Sequence, residues 1–271
     1  MMFFNRQIAL RKNINIEIDY SNQVLWLEIG SDEELHYSYE TISNFYDCLG
    51  LLHRYIINEN LSHVFLRSAN KKVWSMGGDL ELFVDCIENQ NKEKLKDYAY
   101  KCVKAVHTIR DNFQTNAVTV AIVEGNAFGG GLECALSTNY IIAEEQVKFS
   151  FPETLFGTFP GMGAYSFLTR RVGFSKAQEM IGSANKWDTD EMHKLNIVSF
   201  KSEKGAAITT ALHLKDSGKL IRENEFSRIS NSPSITELNA IVDIWLGQVM
   251  NLDDEKVAFM QKIVEAQRKI S

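Results

Sequence analysis

Two glutamates and two glycine clusters are the residues whose types and spacing could do chemistry in this chain. Glu133 closes the run Gly125-Asn-Ala-Phe-Gly129-Gly130-Gly131-Leu-Glu133, and Glu153 follows 20 residues later in Phe151-Pro152-Glu153. Both stand in apolar company: Leu132, Cys134, Ala135 and Leu136 surround the first, Phe149, Phe151 and Leu155 the second. A carboxylate seldom enters such surroundings without a partner or a task. One glutamate of this kind is ordinarily an exposed helix or loop residue. Two of them, each beside a glycine device, point to paired acid–base work. Burial raises both proton affinities, and like-charge repulsion lets one hold a proton while the other stays ionised.

The glycines complete the arrangement. In Trp74-Ser-Met-Gly77-Gly78-Asp79-Leu80, the paired glycines precede a helix whose N-cap falls near Asp79. They leave an amide N–H clear of side chains, at a helix start that favours negative charge. A Gly-Gly-Asp turn by itself is a plain capping loop. Gly129-Gly130-Gly131 lies at a strand-to-helix transition, where three glycines in a row cost conformational entropy. The run has neither the Gly-Lys-Ser/Thr ending of a phosphate-binding loop nor GxGxxG spacing. A second bare amide aimed at a carbonyl oxygen fits better.

These parts need elements to hold them. Alternating apolar residues predict a hairpin of strands over 14–18 and 24–29, turning at Ser21-Asn22. A helix is predicted over 39–57, with Ile42, Phe45, Tyr46, Leu49 and Leu52 as its apolar stripe. A strand over 63–67 follows, then helices over 79–88 and 92–113 and a buried strand over 118–123. After the glycine run come a short helix, strands over 140–143 and 147–149, and helices that dominate to the end, notably over 236–250 and 253–268. This order predicts an α/β core over 1–200 and a helical region over 201–271.

Composition narrows the function classes. A net charge of -6 argues against wrapping nucleic acid or adhering to anionic lipid. No apolar stretch approaches the ~20 residues that span a bilayer, and the first residues do not read as a signal peptide. A cytoplasmic protein is expected. The cysteines Cys48, Cys86, Cys102 and Cys134 form no CxxC pair, so buried thiols are expected rather than a metal site or disulfide framework. The histidines are dispersed singly and read as structural or surface residues, and no metal or cofactor is expected.

Read together, the three segments resemble the crotonase (enoyl-CoA hydratase/isomerase) superfamily over nearly the whole chain. The resemblance implies a spiral of ββα units with a helical C-terminal region that closes the pocket and mediates oligomerisation. It makes 74–80 the first oxyanion loop, 125–133 the second with its catalytic glutamate, and Pro152-Glu153 the second catalytic glutamate. The implied amide donors are those of Gly78 and Gly130. Within the superfamily, 125–133, Ile141-Ile-Ala-Glu-Glu145, 159–167, Ile244-Trp245 and Ala266-Gln267 are similar to synthases of the diffusible signal factor, a cis-2-unsaturated fatty acid signal. Gly161-Met162-Gly163-Ala164 stands where hydratases usually carry Gly-Gly-Thr, a departure in the direction of the synthases.

The implied reaction is dehydration of a 3-hydroxyacyl thioester on acyl carrier protein, followed by thioester hydrolysis. Glu153 would take the α-proton and a protonated Glu133 would serve the leaving hydroxyl. Phe128, Met162, Trp245 and Ile263 are implied pocket residues, and plain core packing is the competing reading for each. Lys71 and Lys72 are candidates to meet the carrier's phosphopantetheine, or are simply solvated, as are Arg170 and Arg171. A homotrimer or hexamer and a regulatory sensor kinase are further implications. An enoyl-CoA hydratase or isomerase of fatty-acid catabolism and a non-catalytic binding module are the alternatives.

Overall fold

The computed structural model describes residues 6–268 except Lys71 and Asn224. The first three strands, β1 (Arg6–Arg11), β2 (Ile14–Asp19) and β3 (Val24–Ile29), form an antiparallel meander. Asp19 makes the β2–β3 turn: its carboxylate accepts hydrogen bonds from the Ser21 hydroxyl, the Asn22 backbone N–H and the Asn22 side-chain amide. The chain then crosses through α1 (Tyr39–Asn58), capped by Ser38, to β4 (His63–Ser68), which lies parallel to β3. The α1 stripe of Ile42, Phe45, Leu49 and Leu52 is buried, as its spacing predicts. Tyr46 differs at 42% exposure, because it is rotated about 100° from Phe45 and falls at the outer edge of the stripe.

From β4 onward a unit repeats: a strand in a large sheet, a short strand in a second sheet, then helix. The first unit is β4, β5 (Val73–Ser75) and the helices α2 (Leu80–Glu88) and α3 (Lys92–Arg110). Next come β6 (Val118–Val123), β7 (Asn126–Phe128) and α4 (Gly130–Leu136). The third unit is β8 (Tyr140–Glu144), β9 (Lys148–Ser150), a 3₁₀ turn over Pro152–Phe156, α5 (Ala164–Val172) and α6 (Phe174–Ser183). The rest comprises β10 (Trp187–Asp188), α7 (Thr189–Lys194), β11 (Phe200–Ser202), α8 (Ala207–Asp216), α9 (Glu225–Asn231), α10 (Ile235–Val249) and α11 (Asp254–Arg268). The large sheet runs β1-β2-β3-β4-β6-β8-β11 and is parallel from β3 onward; the small one runs β10-β9-β7-β5. All six residues of β6 are buried, as a central strand covered on both faces requires.

Several elements depart from their sequence signals. The helix expected over 92–113 stops at Arg110, and Asn112, Phe113 and Gln114 take positive φ, which turns Phe113 into the core at 1% exposure. The strands β1, β5, β7, β10 and β11 were not predicted. Beyond residue 201, α8 packs Ala207, Ala211 and Leu214 into the cluster containing Phe65, Ile122 and Ile142 on the large sheet. α10 lies against α3, and α11 against α2. All four cysteines are buried and free.

Candidate active site

The site forms where two strand-to-helix crossings meet. Close approach of β5's end to the start of α4 requires glycine on both sides. A Cβ on Gly131 would lie 2.6 Å from the Ser75 carbonyl oxygen, and one on Gly77, whose φ is +107°, would lie 3.1 Å from the Gly130 nitrogen. Gly129 has a φ of +49°, and a Cβ there would overlap the Glu153 carboxylate. Gly130 is the first residue of α4, and Gly78 immediately precedes the N-cap Asp79. Regular structure supplies no partner for N–H groups at such positions. The two amides stand close together, the Gly78 nitrogen 3.5 Å from a Cβ built on Gly130, and both can donate to an anionic oxygen.

The Gly78 loop is held from behind. Tyr37 N–H donates to the Gly77 carbonyl (2.9 Å) and Met76 N–H to the Leu35 carbonyl (2.6 Å). The Tyr98 hydroxyl donates to the Tyr37 carbonyl (2.6 Å) and accepts from Asp79 N–H (3.2 Å). Asp79 caps α2 by accepting from Leu82 N–H, and its other oxygen accepts from Tyr39 N–H.

The two carboxyl groups have unlike surroundings. Glu133 is 1% exposed, and its Oε1 accepts from the backbone N–H groups of Met162 (2.7 Å) and Ala164 (2.9 Å). Burial pushes its pKa up to about 7, against the opposing pull of these amides. Glu153 lies in the 3₁₀ turn, and its Oε2 is buried with no hydrogen-bond partner among the described residues. Burial first, and the Glu133 charge second, hold it well above the usual carboxylate range. Of the two, Glu153 is held further above its ordinary range, and the reason is the amide clamp: donors 29 and 31 residues away in sequence stabilise a carboxylate at Glu133.

Both carboxyls and both amides face one cavity of about 260 Å³. All eight residues singled out in the sequence line it: Gly78, Phe128, Gly130, Glu133, Glu153, Met162, Trp245 and Ile263. Sequence reasoning missed Phe83, Tyr98, Ala99 and Cys102 on α2 and α3, and Gln267 on α11. Ala99 and Cys102 lie three residues apart on α3 and share a face, but spacing alone does not separate pocket wall from core. Lys186, a lining residue whose ammonium lies 5.9 Å from the Phe128 ring centre, carried no signal. Lys72 is not among the lining residues, and Lys71 lies outside those described.

Trp245 forms much of one wall. It packs edge-on to Phe83, with ring centres 5.2 Å apart, and a Cβ on Gly161 would come within 2.8 Å of its ring. Trp245→Ala is expected to destabilise the fold by about 3–5 kcal/mol. The measurements are denaturant unfolding and KM for acyl thioesters of increasing length, with the preferred chain shifting to longer ones.

Two sheets wound from repeating strand–strand–helix units, with the cavity at the glycine-lined crossings between them, are the architecture of the crotonase fold. The chain belongs to the enoyl-CoA hydratase/isomerase family, whose sequence model matches residues 41–205, more than half of the 271. Among solved structures, human mitochondrial Δ3-Δ2-enoyl-CoA isomerase superposes with a TM-score of 0.78 at 17% identity, covering 96% of this chain and 99% of that one. Pseudomonas aeruginosa DspI gives 0.68 at 22% identity over 89% and 82% of the two chains. An enoyl-CoA hydratase from Geobacillus kaustophilus gives 0.69 at 17% identity over 96% and 97%. At these identities the likeness is one of fold.

Proposed function

We propose that this protein dehydrates a 3-hydroxyacyl thioester of acyl carrier protein and then hydrolyses the thioester, releasing a free cis-2-unsaturated fatty acid signal. The observation that carries the acid–base part is the unequal carboxyl pair beside two unpartnered amides in one apolar cavity. The finer choice of substrate rests on the resemblance to the signal synthases. The same resemblance extends to a cytoplasmic homo-oligomer, trimer or hexamer, and a sensor kinase as regulatory partner.

In the elimination, Glu153 as carboxylate takes the α-proton. The electron pair moves into an enolate whose oxygen is met by the Gly78 and Gly130 N–H groups, each donor worth about 3 kcal/mol in the transition state. Glu133 gives its proton to the β-hydroxyl, the C–O bond breaks and water departs. This leaves Glu153 protonated and Glu133 ionised, the distribution that the amide clamp favours. Glu133 is then the base for hydrolysis: it takes a proton from water as the water oxygen bonds to the thioester carbon. The tetrahedral oxyanion occupies the same amides and collapses, and the departing thiolate takes the proton of Glu153. Glu133 ends protonated and Glu153 ionised, ready for the next elimination.

The resting distribution also favours a second reading. An ionised Glu133 and a protonated Glu153 are the starting state for adding water to a 2-enoyl thioester, which is enoyl-CoA hydratase chemistry. Product analysis separates the two. Incubation with a 3-hydroxyacyl carrier-protein thioester is expected to yield free cis-2-enoic acid; recovery of only trans-2-enoyl or unreacted thioester rejects the synthase. The pH profile tests the pair itself. Both reactions need one proton between the two carboxyls, and Glu133 gains a second as pH falls through about 7. kcat/KM is therefore expected to fall below that pH; a profile flat down to pH 5 contradicts it.

A further inference from the structure

We infer that a second cavity, at the far end of α4 from the acid–base pair, is a binding site for a small oxyanion, a phosphate group or a carboxylate. Its volume is about 140 Å³ and its polar lining is Arg110, Asn139, Arg170, Arg171, Glu223 and Asn231. The charges do not balance. Arg170 is already engaged by both carboxylate oxygens of Glu237, at 2.8 Å each. Arg110 is 3% exposed and pairs with Glu223. Among the described residues Arg171 has no carboxylate of its own: its guanidinium donates to the Leu136 and Thr138 carbonyls at the C-terminal end of α4. Two close guanidinium groups thus share one carboxylate and the weak negative pole of a seven-residue helix.

Asn139 supplies an independent sign. Its Oδ1 accepts from the Thr119 backbone N–H (2.9 Å) and hydroxyl (3.1 Å), which settles the orientation of the side-chain amide. The Nδ2 group, pointing the other way, is buried without a hydrogen-bond partner among the described residues. An orphaned buried donor is costly, and so is a half-buried cation that must share the Glu223 carboxylate with Arg110. Burial and the neighbouring Arg110 already push the Arg171 pKa down to about 9. An oxyanion between Arg171, Arg110 and Asn139 would satisfy both. The exposed residues Arg170 and Asn231 mark the side open to solvent.

The test is thermal unfolding of the full chain in sodium phosphate and in sodium acetate, each against sodium chloride at matched ionic strength. A saturable rise in Tm of roughly 2–5 °C is expected from a specifically bound anion. The salt that produces it identifies the headgroup, phosphate or carboxylate. Asn139→Asp keeps the Oδ1 contacts and replaces the orphaned donor with a fixed anion. This variant is expected to start from a higher Tm in chloride and to lose the response. Arg171→Met, folded or partly destabilised, is likewise expected to lose the saturable increment. Absence of protection by either salt in the wild type, or an undiminished response in Asn139→Asp, overturns the site.

Discussion

Replacing Glu153 with glutamine is expected to lower kcat by about 10²–10⁴-fold, the range for removing one positioned acid–base group, while raising Tm at pH 8. The two effects have one origin. The folded-state pKa of Glu153 is raised, so its carboxyl contributes stability below the unfolded value near 4.5 and loses that contribution as pH climbs toward the folded value. At pH 8 the unfolded chain carries a solvated carboxylate, whereas the fold must keep the group protonated or hold a buried charge beside Glu133. Glutamine removes that penalty, and in a domain of this size each kcal/mol of stability moves Tm by roughly 2–4 °C. At pH 4, where both states hold a proton, the gain should vanish. Gain of stability with loss of activity is the pattern of a strained functional group. Glu133→Gln should lose activity to a similar degree, with a smaller thermal gain because its carbonyl still accepts from Met162 and Ala164. Wild-type turnover by both glutamine variants would remove the catalytic reading and favour a non-catalytic binding module.

Gly131→Ala is expected to reduce kcat by about 10²–10³-fold without touching a carboxyl group. The added methyl would sit 2.6 Å from the Ser75 carbonyl oxygen and 2.8 Å from its Cβ. Backbone on both sides leaves no flexible tip to yield, so β5 and α4 must separate. That separation pulls the Gly78 and Gly130 amides out of register with each other. Overpacking of this kind also costs about 1–3 kcal/mol of stability. Gly182→Ala in α6 is the control, since a Cβ there meets nothing within 4 Å and alanine favours helix. Steady-state kinetics and urea unfolding of the two variants measure both effects. Equal kcat in Gly131→Ala and wild type would show that the paired amides do not hold the reacting oxygen.

The resemblance carried by 74–80, 125–133 and 152–153 reached the fold class and the residues lining the cavity because short, local patterns encode both. Three glycines before Glu133 are unusual wherever they fold, and an Ile42-Phe45-Leu49-Leu52 stripe specifies a helix face without reference to the rest of the chain. The short strands β5 and β7 escaped because two or three residues carry no period; their pairing, Val73 with Asn126 and Ser75 with Ala127, exists only across some 50 positions. The second wall of the pocket was hidden for a related reason, since Tyr98, Cys102 and Gln267 look like core residues until α3 and α11 close around a space.

The difference between the two carboxyl environments was decided by tertiary structure alone. Composition around Glu133 and Glu153 is equally apolar, and each sits next to a glycine device. What separates them is that the Met162 and Ala164 amides arrive at one and leave the other without a donor. Residue types and spacing determined which groups could titrate. Only the approach of distant backbone determined which one is met by amide donors, because a hydrogen bond a few ångströms long acts through space and leaves no mark in the neighbouring sequence.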